Sequence, residues 1–266
     1  MTFPLFEDDL AEGGLIRGRD MHRRGADLPA VAVLCFFHEV LDRLAASGEL
    51  VERYRLRSEF GVNPVYVMDV GGRAVTVTHP GVGAPLAVGF TEELVGLGVT
   101  TLVACGGAGA LVERELGHVM VVDSALRDEG TSFHYAAPSR VIDADPLGVR
   151  LATETLERLG VAYEVGRTWT TDALFRETPS RIARRVAEGC AMVDMESSAF
   201  IAAPRYLRVR FAQLLYAGDS LTGESWDPRR WVHAGDVREG LLRAAARVAL
   251  ALSDAPGDGP ARVGDG

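Results

Sequence analysis

Residues 30–44 have the sequence AVAVLCFFHEVLDRL. The first eight of them form a continuous apolar run, which is typical of a β-strand buried on both faces. Val40, Leu41 and Leu44 then recur at the spacing of a helix, which is predicted to end at the Ser-Gly pair that follows. A buried strand followed directly by a helix is the repeating unit of α/β proteins.

The rest of the chain repeats this alternation of apolar strands and amphipathic helices. Strands are predicted at 65–70, 73–78, 100–105, 119–123, 163–168, 192–195 and 210–216, and helices at 91–98, 146–159, 179–188, 197–203 and 236–252. The pattern predicts an α/β fold, a single domain with a mixed, largely parallel central sheet flanked by helices. We place this domain at 28–252, after an N-terminal leader at 1–27 and before a disordered tail at 253–266.

Composition restricts the partners and the chemistry of the protein. Its 266 residues carry 28 basic and 37 acidic side chains, a net charge of −9, which argues against nucleic acid as the main partner. Every basic residue is an arginine, and the absence of lysine excludes Schiff-base chemistry and a P-loop lysine.

Cysteine usage and the N-terminus bear on the location of the protein. The three cysteines are far apart and form no C-x-x-C pair, so neither a disulfide framework nor a metal site is predicted. The first ten residues lack the cationic and apolar regions of a signal peptide. The cysteine pattern indicates a reducing setting, so we predict a cytoplasmic protein. The longest apolar run, 30–37, is too short to cross a membrane, so we also predict no membrane contact.

Two carboxylates directly follow predicted buried strands. Glu196 lies in VDMESS (193–198) and Asp219 in YAGDSLTG (216–223). Ligands of such sheets bind at the carboxyl ends of the strands, so we expect both carboxylates at one cleft. Each alone is also explained as the N-terminal cap of a helix, whereas together they form a candidate carboxylate pair.

Five segments of the chain carry a resemblance to a known family. They are PGVGAP (80–85), RDEGTSFHY (127–135), TTDALFRET (170–178), VDMES (193–197) and GDS (218–220). Together they resemble the nucleoside phosphorylase superfamily of uridine phosphorylases, hexameric purine nucleoside phosphorylases and related nucleosidases. The resemblance covers about residues 28–245 and implies an α/β domain around a distorted, barrel-like sheet, assembled as a homodimer or homohexamer. It also implies cleavage of the N-glycosidic bond of a nucleoside.

The resemblance assigns roles to the catalytic candidates. Glu196 matches the carboxylate that accepts hydrogen bonds from the ribose 2′- and 3′-hydroxyls, which suits a sugar that becomes cationic. Asp219 matches the acid that protonates a departing purine, and its presence favours a purine-like base over a pyrimidine. Met195 matches the residue against the sugar face, and Leu174 and Phe175 match the wall of the base pocket.

The remaining substrate-binding candidates come from the same family pattern. Gly107 lies in a glycine-rich segment after a strand, and Glu129 and Thr131 belong to the RDEGTS block. His22 matches a histidine that reaches into the neighbouring subunit toward the 5′-hydroxyl, with a surface histidine as the alternative. Arg57 matches the arginine that the family supplies across the subunit interface.

Phosphate binding is where the sequence departs from the family pattern. The family has a Gly-Asp-Pro turn and an arginine after the first strand, whereas this chain has CFFHE at 35–39 and no arginine until Arg43. After the next core strand, Ala104 and the segment GGAG at 106–109 stand in place of an arginine and a hydroxyl. The glutamine and arginine with which uridine phosphorylases bind the base are also missing from 176–180.

Three functions therefore stay open. The first is phosphorolysis to free base and ribose 1-phosphate, with inorganic phosphate as co-substrate and no other cofactor. The second is hydrolysis, for which Glu12, Glu39 and Glu59 are candidates to orient the water. The third is a non-catalytic nucleoside-binding protein. The two tryptophans of 226–231 are similarly open to interpretation as a lid over the base, an oligomer contact or the start of a helix.

Overall fold

The computed structural model describes residues 3–7, 10–22, 27–231 and 234–256. The strands are β1 (Val31–Cys35), β2 (Leu50–Ser58), β3 (Gly61–Asp69), β4 (Ala74–Thr78), β5 (Thr101–Ala110), β6 (Val119–Asp128), β7 (Val141–Asp143), β8 (Tyr163–Thr171), β9 (Cys190–Asp194) and β10 (Arg210–Ser220). The helices are α1 (His38–Ala46), α2 (Ala84–Gly96), α3 (Pro146–Leu159), α4 (Pro179–Ala187), α5 (Ser197–Tyr206) and α6 (Gly235–Ser253). Short 3-10 turns lie at Pro4–Phe6, Gly18–Met21, Thr131–His134 and Leu174–Arg176.

Five strands of the central sheet close into a ring. Strand β5 pairs with β10 and β9, β10 pairs with β6, β6 with β8, and β8 with β9. From β5 the sheet continues outward through β1, β4, β3 and β2. Parallel and antiparallel pairs occur side by side, so the sheet is mixed, and the ring confirms the predicted barrel-like α/β fold.

Strand β1 shows how the apolar run of the sequence builds the core. All five of its residues are buried. Val31, Val33 and Cys35 face a hydrophobic cluster that includes residues of α1 and α6. Ala32 and Leu34 face a second cluster, which includes residues of α2 and α5. Helices therefore cover both faces of this strand, as the continuous run predicts.

Strand β5 does not end before its glycines as predicted. It runs through 106–109 to Ala110, because Gly106 lies opposite Leu215 of β10 and Gly109 lies opposite Val193 of β9. The glycine segment is therefore part of the sheet and not a loop, and backbone pairing rather than side-chain character decides this boundary.

Other elements also differ from the predicted ones. The helix predicted at 91–98 is α2, which begins at Ala84, and the strand predicted at 119–123 is β6, which continues to Asp128. Helix α5 continues through Pro204 to Tyr206, because a proline in the last turn removes only one hydrogen-bond donor near the helix end. Strand β2 is missing from the prediction, because its charged side chains point to solvent and leave no apolar run to recognise. The predicted tail begins where α6 ends, and its residues 257–266 lie outside the described residues.

Candidate functional site

A cavity of about 680 Å³ opens where β1, β5, β9 and β10 reach their carboxyl ends. Phe36 and Phe37 line it just after β1, the glycine-rich segment 106–109 lines it from β5, and Asp219 lines it from the end of β10. Further lining residues are Val82, Leu174, Phe175, Glu177, Met195, Glu196, Gln213, Leu221, Trp226, Trp231 and Arg238.

Packed side chains fill the space over the glycines of β5. A Cβ atom on Gly109 would lie 2.6 Å from Cδ1 of Leu221, and one on Gly106 would lie 3.1 Å from the ring of Phe36. Glycine lets both side chains approach the strand backbone this closely, and a larger residue would require Leu221 or Phe36 to shift. At Gly106 and Gly109 this wall of the cavity is therefore strand backbone, and the side chains of Phe36 and Leu221 pack directly against it.

Glu196 is held at the start of α5 with its carboxyl group at the cavity. The N–H of Gly83 donates to Glu196 Oε1 at 2.6 Å, and Gly83 has a φ of 90°, a conformation that glycine adopts without strain. Burial and then the nearby Asp194 raise the pKa of Glu196 to about 8. The surroundings of Glu196 therefore disfavour its charged form, a property that is common among carboxyl groups of functional sites.

Asp194 shapes the turn that carries Glu196. Its Oδ1 accepts hydrogen bonds from the N–H groups of Glu196 at 2.8 Å and Ser197 at 2.7 Å, and its Oδ2 accepts one from the Thr168 hydroxyl at 2.6 Å. Burial raises the pKa of Asp194, while these donors act in the opposite direction. Asp194 is thus a fixed support for the adjacent Glu196.

Asp219 is held from two sides at the opposite part of the cavity. Its Oδ2 accepts a hydrogen bond from the indole Nε1 of Trp226 at 2.6 Å. Its backbone oxygen accepts one from Nη2 of Arg229 at 2.7 Å. The segment after β10 is itself tied back by two backbone hydrogen bonds between Ser220 and Asp227, at 2.8 and 3.0 Å.

Glu177 adds a further carboxyl group to those of Asp194, Glu196 and Asp219, and sequence reasoning did not single it out. It follows the 3-10 turn that carries Leu174 and Phe175, and it lines the same cavity. Burial first, then the charges of Asp219 and Asp194, raise the pKa of Glu177 to about 7. The cavity is therefore an acidic one, suited to a ligand that brings N–H and O–H donors.

Arg238 is the one basic side chain that lines this cavity among the described residues. It is buried, and its guanidinium carbon lies 5.0 Å from the ring centroids of both Phe37 and Trp231. Its Nε donates to the Tyr216 hydroxyl at 3.1 Å and its Nη1 donates to the carboxylate of Glu39. The ion pair with Glu39 offsets the positive charge of this arginine.

Family membership follows from a comparison with protein-family models. The model of the phosphorylase superfamily matches residues 30–254, a stretch that runs from β1 through α6. The chain belongs to the phosphorylase superfamily. The match includes all four strands that surround the cavity and the helix that carries Arg238.

Individual members of the superfamily resemble the chain at low identity. Over 194 residues it is 30% identical to guanosine phosphorylase from Halorubrum lacusprofundi. This alignment covers 68% of this chain and 78% of that protein. Over 106 residues it is 37% identical to uridine phosphorylase from Thermococcus kodakarensis, 39% of this chain and 38% of that protein. The chain thus spans less than half of this uridine phosphorylase.

Solved structures of superfamily members share the fold. Purine nucleoside phosphorylase from Toxoplasma gondii superimposes with a TM-score of 0.72 at 18% identity, over 84% of this chain and 91% of that one. Uridine phosphorylase from Vibrio fischeri ES114 gives a TM-score of 0.69 at 24% identity, over 86% of this chain and 94% of that one.

The cavity brings together six of the residues singled out from the superfamily pattern. They are Gly107, Leu174, Phe175, Met195, Glu196 and Asp219. Phe175 is 92% exposed at the rim, whereas Glu196 is buried.

The other four candidates lie outside this lining. Glu129 is buried and accepts hydrogen bonds from the Ser132 N–H and the Ser198 hydroxyl, so it supports the loop after β6. Thr131 lines a second, shallower cavity between that loop and α2. His22 contacts the Tyr54 hydroxyl at 2.8 Å, and Arg57 is an exposed side chain of β2.

The three glutamates that are candidates to orient an attacking water also differ in whether they lie near the cavity. Glu59 is exposed at the turn between β2 and β3, and Glu12 is exposed in the N-terminal segment. Only Glu39 contacts a residue that lines the cavity, through its ion pair with Arg238. Arg43, the first arginine after β1, instead pairs with Glu239 at 2.5 Å and does not line the cavity.

Besides Glu177, sequence reasoning missed two further polar residues of the cavity, Gln213 and Arg238. Gln213 is a polar residue in the middle of apolar β10, and its Oε1 has no hydrogen-bond partner within the part of the chain that the structure describes. Arg238 shares one helix face with Leu241 and Leu242, which are buried. In both cases the sequence carried a signal of a functional role. A polar side chain stands at a position that hydrophobic periodicity assigns to the core.

Two kinds of feature are absent from the described residues. No helix in that part of the chain is long and apolar enough to span a membrane. No group of three or more histidine, cysteine, aspartate or glutamate side chains among those residues has the arrangement of a metal site.

Proposed function

We propose that this protein cleaves the N-glycosidic bond of a nucleoside with a purine-like base. The observation that carries the proposal is the convergence of Glu196 and Asp219 on one cavity whose rim is apolar and aromatic. Membership of the phosphorylase superfamily supports the same reaction class.

In this proposal Glu196 receives the ribose 2′- and 3′-hydroxyls. Burial destabilises the charged form of Glu196, and hydrogen bonds from the ribose hydroxyls stabilise it. Nucleoside binding therefore favours ionisation of Glu196, and ionisation favours binding. As the bond between C1′ and the base nitrogen breaks, the sugar becomes cationic and the negative charge of Glu196 stabilises it. The bonding electrons leave with the base, and Asp219 transfers a proton to the base ring as they do.

The acidic character of the cavity supports a base that carries N–H donors. Glu177 lines the cavity near the aromatic rim, and a carboxylate accepts hydrogen bonds from ring N–H and amino groups of a purine. A pyrimidine-dione such as uracil offers mostly carbonyl acceptors, which two neighbouring carboxylates disfavour.

The acceptor of the ribosyl group is either phosphate or water. Phosphate is supported by the relatives named as phosphorylases. Water is supported by the charges on this chain: Arg238 is already paired with Glu39, and Phe36 and Phe37 line the end of the cavity after β1. A phosphate dianion needs charge-assisted donors, and no unpaired basic side chain lines the cavity among the described residues.

Replacing Glu39 by glutamine is expected to separate the two acceptors. If water attacks C1′ and Glu39, which contacts the cavity through Arg238, is the group that takes its proton, Glu39→Gln lowers base release about a hundredfold. If phosphate attacks, Glu39→Gln frees Arg238 for the anion, and the KM for phosphate falls instead. Steady-state base release at several phosphate concentrations measures both, and Asp42→Asn removes an exposed carboxylate from the same helix as a control.

The reaction class itself is tested by product analysis. The protein is incubated with purine and pyrimidine nucleosides, with and without phosphate, and bases and sugars are separated by chromatography. We expect free base from purine nucleosides, with ribose 1-phosphate if phosphate is the acceptor and ribose if water is. Binding of nucleosides without release of any base would support the non-catalytic alternative and contradict this proposal.

Location and assembly stay predictions. From the sequence we propose that the protein is cytoplasmic and forms a homodimer or homohexamer. Sedimentation of the purified protein tests the assembly.

A further inference from the structure

The indole of Trp226 occupies an unusual place at the rim of the cavity. Its side chain is 60% exposed, whereas Trp169 is fully buried in the core. A tryptophan this exposed contributes little through burial of apolar area. Its one hydrogen bond among the described residues is the 2.6 Å bond from Nε1 to Oδ2 of Asp219.

The backbone around Trp226 holds the indole in this position. Asp227, the next residue, is paired with Ser220 by two backbone hydrogen bonds. Arg229 bridges the segment to the body of the protein, with Nη1 on the Arg114 carbonyl at 2.5 Å and Nη2 on the Asp219 carbonyl at 2.7 Å. The contact between Trp226 and Asp219 is therefore built into a tethered segment.

We propose that Trp226 is the positioning residue of Asp219 in proton transfer to the leaving base. This inference rests on the proposed function. The indole N–H fixes Oδ2, so that Oδ1 is the oxygen left to face the base. When Asp219 gives its proton to the base, a negative charge develops on its carboxylate, and the indole N–H stabilises that charge with a charge-assisted hydrogen bond.

The balance of the step is simple. The O–H bond of Asp219 breaks, and a lone pair already present on a ring nitrogen of the base forms the new N–H bond. The electron pair of the glycosidic bond stays on the nitrogen that leaves C1′, and the proton neutralises the negative charge that this pair would otherwise place on the base. Trp226 gives up no proton and forms no covalent bond. Its N–H donates more strongly to the carboxylate formed than to the carboxylic acid consumed, so its effect falls on kcat rather than on KM.

Trp226→Phe removes the N–H and keeps an aromatic ring, and it is the variant that tests this role. We expect kcat for a purine nucleoside to fall about tenfold to a hundredfold, with KM changed less than threefold. For 4-nitrophenyl β-D-ribofuranoside, whose leaving group departs without protonation, we expect a change of less than threefold. In an Asp219→Asn background, Trp226→Phe is expected to have no further effect.

Several results would overturn the role. Equal losses on both substrates would mean that Trp226 only holds the segment in place, and unchanged kinetics with altered sedimentation would make it an oligomer contact. Ser225→Ala changes a neighbouring exposed side chain and serves as the control, and thermal unfolding checks that each variant folds. A wild-type protein that releases nothing from either substrate would instead contradict the proposed function itself.

Discussion

Replacing Glu196 by glutamine is expected to lower kcat/KM for nucleoside cleavage about a thousandfold. Glutamine keeps the size of the side chain and one carbonyl acceptor, but it removes the negative charge that faces the cationic sugar in the transition state. Its amide N–H₂ also cannot accept from a ribose hydroxyl. Initial rates of base release at low substrate concentration measure the loss.

The pH dependence of the wild-type protein gives an independent check on Glu196. Its pKa of about 8 means that the free protein carries the protonated form at neutral pH. The active, ionised form accumulates as pH rises, so kcat/KM is expected to increase up to about pH 8. Glu196→Gln should remove this increase, and a variant that keeps it would contradict the role of Glu196.

The same raised pKa has a consequence for stability. An unfolded glutamate releases its proton near pH 4.5, whereas folded Glu196 keeps it up to about pH 8. Between these values Glu196 binds more protons in the folded state, so its contribution to the stability of the ligand-free protein falls as pH rises through this window. Glu196→Gln has no such titration, and its melting temperature should decrease less between pH 5 and pH 8 than that of the wild type. This readout also shows whether an inactive variant is folded.

Asp219→Asn is the second substitution with a large expected effect. Asparagine fits the same space and still accepts the indole N–H of Trp226, but it cannot protonate a purine. We expect kcat for purine nucleosides to fall between about a hundredfold and a thousandfold, while nucleoside binding measured by calorimetry changes less than threefold. Glu224→Gln removes a charge from the same exposed segment and is the matched control.

The leaving group decides what the Asp219→Asn result means. Activity on 4-nitrophenyl β-D-ribofuranoside should survive the substitution, because nitrophenolate needs no proton to depart. Loss of activity on both substrates would point to a general disturbance of the cavity. Full activity on purine nucleosides would exclude Asp219 as the acid.

Local pattern was sufficient to predict the elements that place Glu196 and Asp219. Glu196 follows the apolar strand β9, and Asp219 lies at the carboxyl end of the apolar strand β10. The expected parallel arrangement is not what joins them, because β10 is parallel to β5 whereas β9 is antiparallel to it, and the closed ring of strands brings both ends to one cavity. The buried run before Phe37 likewise predicted β1. These features depend on residues close in sequence, which is the information that hydrophobic periodicity holds.

Long-range pairing is what the sequence pattern did not provide. The ion pair between Arg238 and Glu39 joins residues 199 positions apart, so neither residue alone signals that the positive charge in the cavity is neutralised. The continuation of β5 through its glycines depends on β9 and β10, which lie much later in the chain. The hydrogen bond from Trp226 depends on how the segment after β10 folds back on Asp219.

The backbone wall at Gly106 and Gly109 of β5 limits how this protein can evolve. A Cβ at Gly109 would require the Leu221 side chain to move, and one at Gly106 would require a small shift of the Phe36 ring, so a change of size here has to be matched by a neighbouring side chain. Phe175 is 92% exposed at the rim, and a change there needs no such repacking, whereas Trp226 is tied to Asp219 by its hydrogen bond. In directed evolution for a new base, we expect substitutions to appear first around Phe175, and substitutions at the glycines to appear together with changes at Phe36 or Leu221.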